Sequence, residues 1–191
     1  DRIDSLMGNL ERFINDSSLT DYDPIVKMAI IHFQFESIHP FYDSNGRTGR
    51  IINILYLILE GLLDLPILYL SSYIIKNKGD YYRLLQQVRD TNEWEEWLMY
   101  IIKGVEETSK ETIDLILAVK EQMLEMKHKL RSNYKFYSQD LLNNLFKHPY
   151  TRVTFVVQDL KVSRITAAGY LNRLAQDRIL EKRKIGTGNY Y

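Results

Sequence analysis

Apolar positions fall into helical registers over the first two-thirds of the chain and then change texture. Ile3, Leu6, Leu10, Phe13 and Ile14 recur at three-to-four spacing, which predicts an amphipathic helix in "IDSLMGNLERFIND". In "LTDYDPIVKMAIIHFQFESI", Asp23 reads as an N-cap and Pro24 as the first helical residue. This segment is apolar on nearly every face, the mark of a central, buried helix. A polar stretch, "HPFYDSNGRTGR" at 39–50, interrupts the pattern and predicts a loop. Apolar density resumes from Ile51 to about Leu63, and Pro66 marks its stop. "LSSYIIKNKGDYYRLLQQVRD" and the run from Asn92 to Leu130 supply at least two further helices, with Trp94 and Trp97 expected to pack against the core. Ile116, Val119, Met123, Met126 and Leu130 form a narrow stripe suited to a helix that links modules or packs on one neighbour. An ordinary amphipathic surface helix and the seam of a homodimer both fit that stripe. After "RSNYK" come three short helical patterns and a candidate hairpin, "ILEKRKIGTGNYY", with Gly-Thr-Gly at its turn.

Composition changes this picture in one respect. At 191 residues, 45% apolar and 26% charged, the chain suits one large soluble domain or two modest ones. Zero formal net charge gives the whole chain no preference for nucleic acid or membrane. The halves differ, however. Residues 1–131 carry 15 Lys/Arg against 21 Asp/Glu, a balance of −6, and residues 132–191 carry 10 against 4, a balance of +6. Two modules, 1–131 and 132–191, are therefore expected. With no cysteine, disulfides and thiolate chemistry are excluded, and a reducing, cytoplasmic setting is the expectation. The longest apolar stretch, Ile51 to Leu70, is broken by Asn53, Glu60, Asp64 and Pro66 and is too interrupted to span a bilayer. No signal-peptide pattern is found. The chain opens on Asp1 rather than Met, so an upstream piece is expected.

The densest polar chemistry sits directly before an apolar helix. The first turn of a helix offers unpaired amides and the positive end of its dipole, so an anion is stabilised there. Ser44, Asn45 and Gly46 are short enough to let a phosphate approach the backbone. Arg47 and Arg50, three apart, share one face and oppose the dipole. A polyphosphate between them resolves that conflict, because charge-assisted Arg–phosphate contacts are strong. Asp43 adds a hard oxygen ligand of the kind Mg²⁺ on a nucleotide requires. His39 offers a base titrating near neutrality. No Gly-Lys-Ser/Thr follows the glycines, so this is not a P-loop. Glu36 reads either as orienting His39 or as a satisfied buried carboxylate, and His32 with His39 lacks a third ligand for zinc.

"HPFYDSNGRTGR" resembles the signature of Fic-domain proteins, His-x-Phe-x-acid-Gly-Asn-Gly-Arg-x-x-Arg, and departs from it only at Ser44, where Gly is usual. "AIIHFQFESI" before it and "LYLSSYIIKNKGDYYRLL" after it also look like Fic sequence, so the resemblance covers roughly residues 1 to 125. It implies a mainly α, helical Fic-type bundle that moves AMP from ATP to a Ser, Thr or Tyr hydroxyl of a target protein. His39 would be the catalytic base, Phe41 the loop's anchor in the core, and Asp43 the Mg²⁺ ligand. Ser44, Asn45 and Gly46 would cradle the α-phosphate, and Arg47 and Arg50 the β- and γ-phosphates, with Thr48 and Gly49 inside the same nucleotide-binding segment. Tyr82 resembles the family's nucleoside-pocket tyrosine. Doc-type relatives, which transfer the γ-phosphate, carry Lys where Gly46 stands, so Gly46 favours AMP transfer. If the Ser44 site needs positive φ, Ser costs about 1 kcal/mol there. The family's restraining helix, Ser/Thr followed after three residues by Glu-Gly or Glu-Asn, finds no match, and Glu60-Gly61 has Tyr56 four residues before the Glu. That helix and the target-docking flap are expected upstream of Asp1.

Residues 134 to 191 resemble a winged helix-turn-helix, a small α+β domain. Arg164, Thr166 and Arg173 would be exposed on a recognition helix in a major groove, and Lys182, Arg183 and Lys184 would meet phosphates from the wing. Winged helices also dock proteins, so DNA is one of two partner classes here. Two rival functions stay open: a DNA-binding regulator whose Fic part only senses nucleotide, and a different transferase, either Doc-like phosphorylation or removal of AMP.

Overall fold

The computed structural model describes residues 2–191. Its order is α1 (Arg2–Asn15), α2 (Pro24–Ile38), α3 (Asn45–Leu59), α4 (Leu70–Lys76), α5 (Lys78–Thr91), α6 (Glu95–Asn133), α7 (Gln139–Lys147), α8 (Val153–Leu160), α9 (Arg164–Gln176), β1 (Arg183–Ile185) and β2 (Gly188–Tyr190). The protein is thus mainly α, with one two-stranded sheet among the described residues. Packing divides it between Leu115 and Ile116, within α6.

In the first unit α2 is the central post. Asp23 caps it by accepting from the Ile25 N–H at 2.8 Å, and Pro24 opens it, as the sequence signals. Met28, Ala29, Ile31, His32, Phe33 and Phe35 are all buried, so the helix has no polar face. Its backbone is engaged too: the indole Nε1 of the fully buried Trp97, on α6, donates to the Ala29 carbonyl at 3.0 Å. Even Lys27 is buried; its Nζ donates to the Ile14 carbonyl at 3.3 Å and lies over the Phe13 and Tyr56 rings.

Helix α3 packs on α2 and begins at Asn45, so the quoted stretch is half loop and half helix rather than wholly loop. It ends at Leu59, before Gly61 in the left-handed region (φ 70°), and Pro66 lies beyond that stop. Gly49 sets how close the two helices come: a Cβ there would lie 2.8 Å from Glu36 Oε1 and 3.1 Å from His32 Nδ1. On α1 the expected stripe is only partly used. Leu10 is buried, but Ile3 and Leu6 stay about 40% exposed.

The second unit gathers around α7, α8 and α9. Ser138 caps α7 and Ser163 caps α9, each accepting a backbone N–H at 3.1 Å. Leu142, Val156, Leu171 and Leu174 are fully buried between the helices. The hairpin pairs Arg183 with Tyr190, Lys184 with Asn189 and Ile185 with Gly188, and Gly186 supplies the positive φ its turn needs. Met123, Met126 and Leu130 of the α6 stripe pack into this unit's core, whereas Ile116 and Val119 remain exposed. Three of the five stripe residues are therefore packed within the chain, while Ile116 and Val119 stay accessible. No helix among the described residues is long and apolar enough to cross a membrane.

Candidate active site

The site forms where α2 ends and α3 begins. His39 leaves α2 in a left-handed conformation (φ 52°), its N–H still donating to the Phe35 carbonyl at 3.0 Å. Arg89 of α5 covers the end of α2, its Nη2 donating to the Glu36 carbonyl at 3.3 Å. The loop that follows is held by Asn45. Its Oδ1 accepts from the Phe41 N–H at 3.0 Å, and its Nδ2 donates to the Phe41 carbonyl at 2.6 Å. Phe41, expected as the anchor in the core, is instead 51% exposed, with its ring 6.3 Å from that of Phe35. Anchoring falls to the buried Asn45, because two hydrogen bonds to one residue's backbone fix the loop without burying the ring.

Ser44 adopts φ 73°, so the position does take the conformation that favours glycine. It is the N-cap residue of α3 yet makes no capping bond; its Oγ accepts from Arg47 Nη2 instead. The first amides of α3 thus carry no side-chain cap. Asp43 Oδ1 accepts from the Ser44 N–H at 2.6 Å, and its Oδ2 lies 3.3 Å from Arg47 Nη2.

These residues border a cleft of about 350 Å³. His39, Asp43, Ser44, Asn45, Gly46, Arg47, Arg50 and Tyr82 all line it, joined by Glu36, Tyr42 and Tyr81. Thr48 and Gly49 do not. The helix's rotation of roughly 100° per residue carries Thr48, next after Arg47, off the cleft, and Gly49 is buried against α2 as a packing glycine. Tyr82 is 58% exposed and stands 5.3 Å from the Tyr81 ring, an open flat face at the cleft's edge. Under the cleft His32 is fully buried, stacked on Trp97 and 2.9 Å from the Tyr81 hydroxyl. Burial pushes its imidazole down to about 4, so it is neutral at physiological pH. Burial also raises the Glu36 carboxyl, against the opposing pull of Arg50, His39 and Arg89. Arg50 donates from Nε to Ser71 Oγ of α4 at 2.9 Å, a contact 21 residues apart in sequence that no local pattern signals.

Asp43 fits the Mg²⁺ role in one respect: it is an exposed single carboxylate beside a phosphate-shaped turn. Mg²⁺ on a nucleotide is commonly held by one carboxylate plus phosphates and water. Among the described residues no three His, Cys, Asp or Glu form a metal cluster, so a cage built by the protein alone is not present.

In the second unit Arg164 is exposed at the start of α9, beside Ile165, which is 86% exposed. Thr166 is half-buried and bonds Ser163. Arg173 is paired with Asp177 at 3.0 Å, Lys182 donates to Asn172 at 2.8 Å, and Arg183 is paired with Glu181 at 2.9 Å. Lys184 is exposed on β1. The structure thus brings the six residues onto α9 and the hairpin, but engages three of the five cations with neighbours.

Comparison with known proteins agrees with both units. Residues 1–57 match the family model described as Fic/DOC family. Residues 120–191 match the model of the C-terminal domain of SoFic-like protein adenylyltransferases. The chain therefore carries a Fic/DOC-family domain followed by a SoFic-like C-terminal domain. Among curated relatives, Protein adenylyltransferase fic-1 of Caenorhabditis briggsae is 34% identical over 80 residues, 39% of this chain and 16% of its own length. Protein adenylyltransferase Fic of Drosophila melanogaster is 30% identical over 94 residues, 46% of this chain and 19% of its own length. The chain thus spans less than a fifth of the length of these two relatives. A crystal structure of a Fic family protein from Desulfovibrio desulfuricans G20 shares the fold, with TM-score 0.55 and 22% identity over all of this chain and 55% of its own.

Proposed function

We propose that the chain is a protein adenylyltransferase, moving AMP from ATP to a hydroxyl of a target protein. The observation that carries this reading is the convergence of His39, Asp43, the uncapped start of α3, Arg47 and Arg50 on one cleft. His39, exposed at the rim, takes the proton of the target hydroxyl. The freed oxygen bonds to the α-phosphorus of ATP, the bond from that phosphorus to the bridging oxygen breaks, and pyrophosphate leaves. The α3 amides at Ser44–Gly46 face the α-phosphate, and Arg47 and Arg50 neutralise the charge that accumulates on the leaving group. Asp43 would hold Mg²⁺ there, and the ion would supply further charge neutralisation. Tyr82 offers the adenine a stacking face. Gly46 leaves the space and charge unaltered where Doc-type relatives carry Lys, which supports AMP transfer over γ-phosphate transfer. The catalytic role belongs to the unit that ends at Leu115 and a second module begins at Ile116, ahead of the expected boundary at 131/132, and an ATP-containing cytoplasm suits the reaction.

The test is the chain with Mg²⁺, host lysate and ATP labelled on either the α- or the γ-phosphate. We expect α-label on protein, lost by at least about a hundredfold in His39→Ala. Label from γ alone would replace this reading with phosphoryl transfer. For the second module, the α8–α9 pair and hairpin support a winged helix, and exposed Arg164 and Lys184 support a contact with duplex DNA. Affinity that falls steeply across a salt series is the expected readout.

A further inference from the structure

Helix α3 is polar where it is buried and apolar where it is exposed. Past Arg50 its only polar side chains are Asn53 and Tyr56, and both are buried. Its outward face carries Ile51, Leu55 and Leu59, spaced four apart and 56%, 57% and 62% exposed. Ile54 and Ile58 flank this row and are partly exposed. No charged residue interrupts the helix from Ile51 to Leu59. A surface helix has the reverse pattern, and one that is apolar on every side belongs in an interior. The open patch is on the order of 400 Å², the size at which an exposed apolar area marks an interaction site. Two such patches with their rims come to roughly 1,000 Å², enough for a specific but weak dimer.

The two ends of the face differ in charge. Its start carries Arg47 and Arg50 against Asp43, a balance of +1, together with the positive end of the helix dipole. Beyond Leu59 stand Glu60 and Asp64, both exposed, a balance of −2 at the negative end of the dipole. Two copies related by a two-fold axis through Leu55 therefore fit in one sense only. Antiparallel, Ile51 of each copy meets Leu59 of the other, Leu55 meets its own counterpart, and each positive end lies beside a negative one. Parallel pairing would set like ends together. A lipid surface suits this face less well, because helices that lie in the membrane interface flank their apolar side with Lys and Arg, whereas carboxylates close one end here.

We propose that the outward face of α3 is a self-association surface, through which two copies of this chain pair antiparallel about Leu55. The pairing rests on the shape and charge of this face and is independent of the chemistry assigned to the cleft.

The experiment is analytical ultracentrifugation of the full chain across a concentration series. The expected result is a reversible monomer–dimer equilibrium with a Kd on the order of 10 μM, as an interface of this size gives. Leu55→Glu and Leu55→Lys each set like charges face to face at the axis, and each is expected to stay monomeric up to about 200 μM. Both keep a strong helix former at an exposed position, so unchanged far-UV circular dichroism is expected with the loss of pairing. An equimolar mixture of the two variants restores a dimer, because Glu then meets Lys across the axis. That rescue singles out a second copy as the occupant, since no other partner carries the matching change. Wild-type chain that remains monomeric at about 200 μM overturns the proposal. So does a dimer that survives Leu55→Glu, or a pair of charge variants that stay monomeric when mixed. Label transfer from ATP has no part in these readouts, so either reading can fail while the other stands.

Discussion

Ser44 and Gly49 show how single positions carry the site. Ser44 sits at φ 73°, a conformation that costs an L-residue about 1–2 kcal/mol and glycine nearly nothing. Its one side-chain return is the contact with Arg47, on the surface. Ser44→Gly is therefore expected to stabilise the protein by about 0.5–1 kcal/mol, read as a higher urea midpoint at unchanged slope. Gly49 is the opposite case. Its φ is helical, yet a Cβ would stand 2.8 Å from Glu36 Oε1 and 3.1 Å from His32 Nδ1, and the buried ring cannot retreat. Gly49→Ala is expected to destabilise by about 1–3 kcal/mol and to disturb the floor of the cleft. Sequence named both residues from the motif but could not tell a nucleotide contact from a packing glycine. That distinction depends on which helix lies opposite.

At the scale of elements, the helices follow from local chemistry more than the loop does. The Asp23-Pro24 start of α2 and its all-apolar faces were readable because capping and periodicity are properties of neighbouring residues. The start of α3 at Asn45 was not, since a polar run of Ser, Asn, Gly and Arg has no apolar period to reveal a helix. Helix α1 offers a clean contrast with Gly49. Gly8 has nothing within 4 Å of where a Cβ would be, so Gly8→Ala should stabilise by about 0.5–1 kcal/mol, measured by the same denaturant series. If Gly8→Ala destabilised the protein, that face of α1 would have to be covered by something. The stripe on α6 was legible as a stripe, but its partner was not: Met123, Met126 and Leu130 meet the second unit's core, and no feature of their spacing says so.

At the scale of the molecule, the buried core sets a pH response. His32 is neutral when folded, with its imidazole pushed by burial from the ordinary 6.5 to about 4. Below 6.5 the unfolded chain takes up a proton that the folded one refuses. Stability is therefore full above that pH and falls as pH drops through about 4, by about 3 kcal/mol in all. Glu36 has the opposite sign: its raised carboxyl contributes stability that is lost as pH rises above the ordinary carboxylate range. Thermal unfolding of the Glu36→Gln variant between pH 4 and 7 isolates the histidine. A rising midpoint with pH is expected there, and His32→Gln in the same background should flatten it.

The sequence by itself determined the helical class, the capped start of α2, the hairpin turn at Gly186, and the set of polar residues at 39–50 from which the site is built. These depend on contacts within a few residues, which composition and spacing encode directly. Only the tertiary structure decided that Phe41 stays half exposed, that Asn45 spends both its polar atoms on the loop, and that Arg50 bonds Ser71 of α4. Those outcomes depend on how α2, α3 and α4 approach one another, and that approach is fixed by the packing of side chains distant in the chain.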